Sequence, residues 1–265
     1  MERLIDQSDL AHHFDRERYT LLNPQYRQFS ELWAFSNSMF YSDQIDTVEP
    51  ITGEQLTCAK RHFVNTWGSI QDYSEKLAGS LFNEHEAIAV IKGVCDFLKD
   101  HKDALEKVLK RSFSVAVLTP YRAQVDQLRQ LFDSIEPPLD NVQISTTDAF
   151  QGKEVDFVFI STVRSYQEGN ITQSLGFLTD ERRINIMLTR SRFSNFICGH
   201  EKLLRTNLLW ESLVDYYSAS TNDYESELDQ IQRRRPTAHD SQVSDEIVDV
   251  NAEGLGKCSP NLGKM

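Results

Sequence analysis

The sequence has few of the residues that hold metal ions or build disulfide frameworks. Its seven histidines include no H-x-x-x-H or H-E-x-x-H pattern. Its four cysteines are widely separated, and no two of them form a C-x-x-C pair: Cys58, Cys95, Cys198 and Cys258. These absences argue against a zinc site and a disulfide scaffold. We therefore predict no metal-ligating residues, and reduced thiols in an intracellular protein.

Long apolar runs are also absent. No stretch approaches the roughly 20 apolar residues that a membrane span needs, and the amino-terminal MERLIDQSDLAHHF lacks the apolar core of a signal peptide. The formal net charge is −12 and the pI is about 5.1, so the chain does not coat nucleic acid by bulk positive charge. A local basic groove remains compatible with these totals, which predict a soluble protein of the cytoplasm or nucleus.

What the sequence does contain, over residues 114–200, is an alternation of apolar runs and helical patterns. Three short apolar runs predict buried strands, at residues 114–119, 157–162 and 193–198, and residues 142–146 predict another strand. In chain order, a helical pattern follows the first of these strands, a loop follows the second, and a further helical pattern lies between the last two. Such alternation predicts an α/β fold, a mostly parallel sheet with helices on both faces.

Helical patterns also occur outside this region. A helix is predicted after Ser30 as N-cap, and another after Asn83, followed by a separate charged helix over residues 103–110. A closing helix follows Leu203. From residue 219 the composition becomes polar and acidic, so we expect one domain over residues 1–218 and a disordered tail beyond it.

The centre of the alternating region combines a glycine-containing loop with several arginines. Gln151-Gly152-Lys153-Glu154 directly precedes a predicted strand, and four arginines follow further along: Arg182, Arg183, Arg190 and Arg192. A guanidinium forks onto phosphate oxygens and keeps its charge at any working pH. Ligands of parallel sheets bind at the carboxyl ends of the strands, and several polar residues lie at or just past those ends: Thr119, residues 146–151, Arg164 and Gly199.

Two longer motifs give these residues a family context. Residues 145–164 contain T-x-D-A-F-Q-G-x-E-x-D, and residues 180–192 read D-x-R-R-x-N-x-x-L-T-R-x-R. Together with VLTPYRAQ at 117–124 and a Gln-Tyr-Arg block at 25–27, they resemble the second RecA-like domain of superfamily 1 helicases. The resemblance is to the branch that contains the nonsense-mediated-decay helicase and senataxin. It covers most of residues 1–217 and implies a RecA-like, P-loop NTPase-type fold.

The resemblance implies a role for particular residues. Arg27 and Arg190 would be arginine fingers that reach the γ-phosphate of ATP bound to the first RecA-like domain. Four residues would line the nucleotide: Tyr26, Gln151, Gly152 and Glu154, the last bonding the ribose. Five residues would face single-stranded RNA or DNA: Thr119, Tyr121, Thr146, Thr147 and Arg164. One departure from the family pattern is Gln28-Phe29-Ser30, which stands where Met-His-Pro usually follows the Gln-Tyr-Arg block.

The sequence lacks the phosphate-binding loop that a complete helicase needs, G-x-x-x-x-G-K-[ST], and an Asp-Glu pair after a strand. Gly254-Leu255-Gly256-Lys257-Cys258 has the wrong glycine spacing, and Asp180-Glu181 belongs to the arginine motif. We therefore expect ATP and Mg²⁺ only together with a first RecA-like domain, in cis or in trans. On this hypothesis the chain is the C-terminal half of a helicase, a fragment or truncated product that is inactive alone.

Two alternatives remain open from the sequence. The chain could instead be a non-catalytic nucleic-acid-binding or scaffold module that keeps the helicase fold. A third hypothesis, an independent nuclease or hydrolase, has no supporting cluster of carboxylates.

Some of these residues also have a purely structural interpretation. Arg182 and Arg183 are predicted to pair within the domain, with Asp148, Asp156 or Asp180. The three tryptophans are predicted to be packing residues: Trp33, Trp67 and Trp210. For Tyr121, packing and contact with a nucleobase are equally compatible with the sequence.

Overall fold

Seven strands form two sheets in the computed structural model, which describes residues 23–48, 61–66, 71–135, 139, 141–165 and 175–218. The strands are β1 Arg61–Asn65, β2 Asp72–Ser74, β3 Ser80–Phe82, β4 Val115–Thr119, β5 Val142–Thr146, β6 Val155–Ser161 and β7 Ser191–Gly199. Five of them make one sheet in the order β1-β7-β6-β4-β5, with every neighbouring pair parallel. β2 and β3 form a separate antiparallel pair.

Helices cover both faces of the five-stranded sheet. They are α1 Ser30–Tyr41, α2 Glu84–Leu109, α3 Arg122–Asp133, α4 Glu181–Leu188, α5 Glu201–Leu204 and α6 Leu208–Ser218. One core layer contains apolar residues of α1, α4 and α6, and the other contains those of α2 and α3. The predicted α/β fold with a parallel sheet is therefore confirmed.

The alternation of side chains along β4 shows how the sheet separates these layers. Ala116 and Leu118 pack in the layer with α1, α4 and α6, whereas Val115 and Val117 pack in the layer with α2 and α3. Successive side chains of a strand point to opposite faces, so a strand covered on both sides has no polar face. This explains the continuous apolar run that the sequence shows.

Two helix predictions differ from the structure in detail. α2 is one helix of 26 residues, where the sequence predicted two. The polar residues near 99–103 that suggested a break are compatible with a helix that is exposed on one side. Ser30 is the first residue of α1 rather than its N-cap, which is Phe29. The predicted cap of α2 is confirmed, because the side chain of Asn83 accepts a hydrogen bond from the backbone N–H of Glu86.

The connection between β5 and β6 passes β4 and runs the length of the strands. β5 ends at Thr146, and β6 begins at Val155 with both strands parallel to β4. Residues 147–154 therefore run from the carboxyl end of the sheet to its amino end. Phe150, in the middle of this crossover, is fully buried in the layer with α1, α4 and α6.

Packing accounts for the tryptophans that the structure describes. Trp33 on α1 and Trp210 on α6 are buried, and the indole N–H of Trp210 donates to the carbonyl of Leu178 at 2.6 Å. Trp67 and the predicted tail over residues 219–265 lie outside the described residues. Within the described part of the chain, no helix is both long and apolar enough to cross a membrane.

Replacing Phe150 with alanine should destabilise the fold by about 3–5 kcal/mol, because a buried ring is lost and a cavity remains. Equilibrium unfolding in urea measures this change. Ile88→Ala is the matched control, since Ile88 is exposed on α2 and its truncation should cost less than about 0.5 kcal/mol. Equal effects of the two substitutions would show that the crossover is not anchored by Phe150.

Candidate functional site

The predicted site residues divide between the two ends of the parallel sheet. At the amino end of β6 and β7 lies a cleft of about 620 Å³, here called the arginine cleft. Its lining residues are Gln25, Tyr26, Arg27, Gln28, Trp33, Tyr41, Glu154, Thr189, Arg190 and Arg192. Three arginines lie there against one glutamate, so the cleft is cationic although the whole chain is acidic.

Gln25 holds the loop that carries Arg27. Its side-chain oxygen accepts from the backbone N–H groups of Arg27 and Gln28 at 2.8 and 3.0 Å. Its amide nitrogen donates to the carbonyl of Gln28 and to the hydroxyl of Thr47. The sequence motifs did not indicate this positioning role, because it depends on contacts with the loop backbone and with Thr47.

Gln28 is a second supporting residue that was not predicted from the sequence. It is buried, and its amide nitrogen donates to the carbonyl of Leu188 at 2.9 Å and to the hydroxyl of Ser191 at 3.2 Å. These bonds tie the Gln-Tyr-Arg block to the end of α4 and the start of β7. The departure from Met-His-Pro is thus compatible with a well-packed loop.

Glu154 joins two arginines that are distant in sequence. It accepts from Nε of Arg27 at 2.7 Å and from Nη2 of Arg192. The hydrogen bond from Arg192, together with Arg27, lowers the pKa of Glu154, which is therefore anionic near neutral pH. Arg192 also contacts Asp156, which receives a bidentate pair from Arg111. Asp156 thus has a structural role, through its ion pairs with Arg111 and Arg192.

Arg190 differs from the other arginines of the cleft in its partners. Within the described residues its guanidinium donates to neutral oxygens alone, the carbonyls of Ile186 and Lys153 and the hydroxyl of Thr189. Burial and then the charge of Arg27 lower the pKa of Arg190, but a guanidinium stays protonated at neutral pH. Because no carboxylate of the described residues is hydrogen-bonded to this cation, it is suited to an anionic ligand.

The remaining residues predicted to line a nucleotide lie close to this cleft, but not all line it. Tyr26 does, and its side chain is 65% exposed. Gln151 and Gly152 are exposed in the turn at the end of the crossover and are not lining residues. Gly152 has φ +82°, a conformation that favours glycine. The structure therefore brings Tyr26, Arg27, Glu154 and Arg190 together.

The residues predicted to face nucleic acid lie at the opposite, carboxyl end of the sheet. Thr119 and Thr147 are fully buried, and the backbone N–H of Thr147 donates to the carbonyl of Thr119. The hydroxyl of Thr147 has no hydrogen-bond partner among the described residues. Thr146 is half-buried and accepts from the N–H of Ala149. Thr119 and Thr147 therefore support the carboxyl end of the sheet from within. Their contact with single-stranded nucleic acid stays a prediction.

Tyr121 and Arg164 form the centre of a second group, here called the carboxyl-end cluster: Tyr121, Arg164, Gly176, Phe177 and Arg183. Tyr121 and Arg164 are mostly buried, at 5% and 9% exposed. Burial raises the pKa of Tyr121, although Arg164 and the backbone of Phe177 hydrogen-bond to its hydroxyl. The exposed side chain of this cluster is that of Phe177, which was not assigned to the site from the sequence.

The predicted ion pairs of the arginine motif are found for one of the two residues. Arg183 contacts Asp148 at 3.1 Å and Asp180 at 3.7 Å, and its guanidinium lies 4.6 Å from the ring centroid of Phe177. Arg182 is exposed, and no ion pair joins it to another described residue.

A buried carboxyl group lies beneath the carboxyl-end cluster. Glu86, in the first turn of α2, accepts from the hydroxyl of Ser161 at 2.6 Å and from the backbone N–H of Val163 at 2.7 Å. Val163 has φ +69°, which is strained for a β-branched residue. Burial raises the pKa of Glu86 to about 7. Glu86 therefore stabilises the turn that presents Arg164.

Comparison with known proteins supplies the family. A family model described as AAA domain matches residues 1–202. The chain belongs to the AAA domain family. Relatives with curated names include the Drosophila melanogaster Regulator of nonsense transcripts 1 homolog, 32% identical over 211 residues. Helicase sen1 of Schizosaccharomyces pombe is 30% identical over 206 residues, and ATP-dependent helicase NAM7 of Saccharomyces cerevisiae is 29% identical over 224 residues.

These alignments cover most of the AAA domain chain but little of each relative. They include 74%, 74% and 80% of this chain, and 16%, 11% and 22% of the respective relatives. The chain therefore spans less than a quarter of the length of any of the three. The resemblance to superfamily 1 helicases is confirmed at the level of the family.

The raised pKa of Glu86 predicts that stability depends on pH. Between pH 4.5, the ordinary pKa, and about 7, the unfolded chain releases a proton that the folded protein keeps. The stabilisation is therefore complete below pH 4.5 and is lost as the pH rises to about 7, by up to about 3 kcal/mol. Glu86→Gln should remove this dependence, because an amide oxygen accepts the same hydrogen bonds without titrating.

The measurement is the free energy of unfolding of both proteins from pH 5 to pH 8. The difference between them isolates Glu86, because His200, whose pKa is lowered by burial and which therefore destabilises the fold on acidification, is present in both. Parallel profiles for the two proteins would contradict the role given to Glu86.

Proposed function

We propose that this chain is the second RecA-like half of an ATP-dependent helicase, with the domain extending over residues 1–218. Family membership and the helicase names of the relatives support a helicase domain. The observation that carries the proposal is Arg190, a partly buried cation hydrogen-bonded to neutral oxygens in a cleft with two further arginines. Such a group stabilises charge that develops on a transferred phosphoryl group.

The arginine cleft fits the phosphate end of ATP better than it fits a metal ion. Its three arginines match the charge of a polyphosphate. Among the described residues, no three histidine, cysteine or carboxylate side chains lie close enough together to hold a metal ion. ATP, with Mg²⁺, supplies the phosphoryl group and the energy of its hydrolysis. Both would be held by a first RecA-like domain, on the chain's own polypeptide or on a partner.

The two candidate fingers would act differently. Arg190 has no carboxylate partner among the described residues, so it can bind a γ-phosphate without first breaking an ion pair with one of these residues. Arg27 is held by Glu154 at 2.7 Å and by the carbonyl of Thr189 at 2.9 Å, and it would have to exchange the first contact for phosphate. Glu154 would then be open to accept from a ribose hydroxyl, with Tyr26 exposed beside it.

Single-stranded RNA or DNA would bind at the other end of the sheet, over the carboxyl-end cluster. Thr146 ends β5 and Arg164 follows β6, two strands on either side of β4, and the crossover of residues 147–154 connects Thr146 to the arginine cleft. A cationic and hydroxyl-lined edge tracks a phosphodiester backbone without reading its sequence. The nucleotide and the nucleic acid would therefore bind at opposite ends of the sheet, separated by the length of its strands.

Arg190→Ala should reduce ATP turnover by about 10³-fold or more, the effect of losing an arginine finger. The assay combines the chain with the first RecA-like domain of a superfamily 1 helicase, in trans or fused, and measures phosphate release with and without single-stranded RNA. Arg190→Lys should fail to restore turnover, because an ammonium lacks the planar fork.

Arg129→Ala is the matched control, since Arg129 is exposed on α3 and donates to the carbonyl of Ile144, outside the arginine cleft. Its turnover should equal that of the wild-type chain. Unchanged turnover of Arg190→Ala would reject the finger role. A wild-type chain that adds nothing to the first domain, yet binds single strands, would favour the non-catalytic module instead.

A further inference from the structure

Phe177 is an aromatic residue that the fold places at the surface rather than in the core. It lies in the 3-10 turn Gly176–Thr179 between β6 and α4. Its neighbours Leu175 and Leu178 are buried in the layer with α1, α4 and α6, whereas the side chain of Phe177 is 50% exposed. The same short segment therefore directs two apolar side chains inward and one ring outward.

The outward position of the ring is fixed by its surroundings. Gly176 has φ +55°, and a Cβ atom at this position would lie 3.3 Å from the hydroxyl oxygen of Tyr121. That hydroxyl hydrogen-bonds to the backbone of Phe177, and the two rings are 5.6 Å apart, tilted by 46°. The mostly buried Tyr121 thus acts as a support for the exposed Phe177.

Charged groups border the exposed ring. The guanidinium of Arg183 lies 4.6 Å from its centroid and is itself held by Asp148 and Asp180. Arg164 lies against the same turn, because a Cβ atom added to Gly176 would be 4.0 Å from its Cζ. A ring bordered by arginines is better suited to binding a nucleobase than to binding an apolar protein surface. An apolar protein surface would favour a contiguous apolar patch.

We propose that Phe177 is a stacking platform for a base of single-stranded nucleic acid. This inference rests on the proposed nucleic-acid surface and adds the chemical group that the platform takes, the flat face of a base of any sequence. The guanidinium of Arg183 would hold the ring of Phe177 on the face that it covers, and Arg164 would lie near the phosphate next to the stacked base. Stacking of this kind tolerates every base, because each has an aromatic face.

The test compares the 265-residue chain with its Phe177→Leu variant. Leucine keeps an apolar side chain at the position and removes the aromatic face. The probes are a fluorescein-labelled uridine strand of about 12 nucleotides, within the usual site sizes, and an abasic strand of the same length and charge, titrated at low salt by anisotropy. Phe177→Leu should weaken binding of the uridine strand by about 10-fold or more, and should leave binding of the abasic strand unchanged.

Two further measurements separate stacking from other roles. The slope of affinity against salt should be the same for both proteins, because the number of phosphate contacts does not change. Phe177→Trp should restore binding, and its fluorescence should be quenched by the uridine strand more than that of the wild-type tryptophans. Leu208→Ala, at an exposed apolar position at the start of α6, is the control for a nonspecific loss of apolar surface.

Each contrary outcome has a distinct meaning. Equal binding of the uridine strand by wild type and Phe177→Leu would overturn the stacking role while leaving the nucleic-acid surface intact. An equal loss on both strands would make Phe177 a structural residue, and loss of docking to a first RecA-like domain would make it part of a protein interface. No binding of any strand by the wild-type chain would reject the nucleic-acid surface itself.

Discussion

A parallel sheet requires each connection to return the chain from the carboxyl end of one strand to the amino end of the next, and this constraint determines where both candidate surfaces lie. The crossover of residues 147–154 begins beside Thr146, at the end of β5, and reaches Glu154 immediately before β6. One motif therefore contributes to both ends of the sheet. Burial of Phe150 fixes the crossover against the core, so the two surfaces belong to one packed body.

The positive charge of the arginine cleft depends on how its charged side chains are paired, not on the composition of the whole chain. An alternating series of ion pairs runs from Arg111 through Asp156, Arg192 and Glu154 to Arg27. Most of these charges are at least partly exposed, so each pair contributes modestly to stability. Their larger effect is positional, because they hold the edges of the cleft while Arg190 keeps neutral partners. A local excess of positive charge can thus exist in a chain of net charge −12.

Much of the fold could be predicted from local patterns, and the site less so. The buried strands and the Asn83 cap depend on short-range chemistry that the sequence displays directly. By contrast, the roles of Gln25 and Phe177 arise from contacts with Thr47 and Tyr121, which are distant in sequence. The continuity of α2 was likewise missed, since packing of its apolar face against the sheet outweighs the polar residues in its middle. The motifs indicated that Tyr26, Arg27, Glu154 and Arg190 lie together, but not that Gln151 and Gly152 lie outside the cleft or that Phe177 is exposed.

The strained turn at Val163 connects the buried carboxyl group of Glu86 with the proposed nucleic-acid surface. A positive φ at a β-branched residue is unfavourable and persists when surrounding contacts hold it. Glu86 accepts the N–H of Val163, and Asn83 donates to its carbonyl at 3.1 Å, so both backbone polar groups of this residue are satisfied from the start of α2. The turn places Arg164 against Tyr121, and Tyr121 in turn supports Phe177. The exposed ring therefore depends on a buried carboxyl group, through the contacts of Val163, Arg164 and Tyr121.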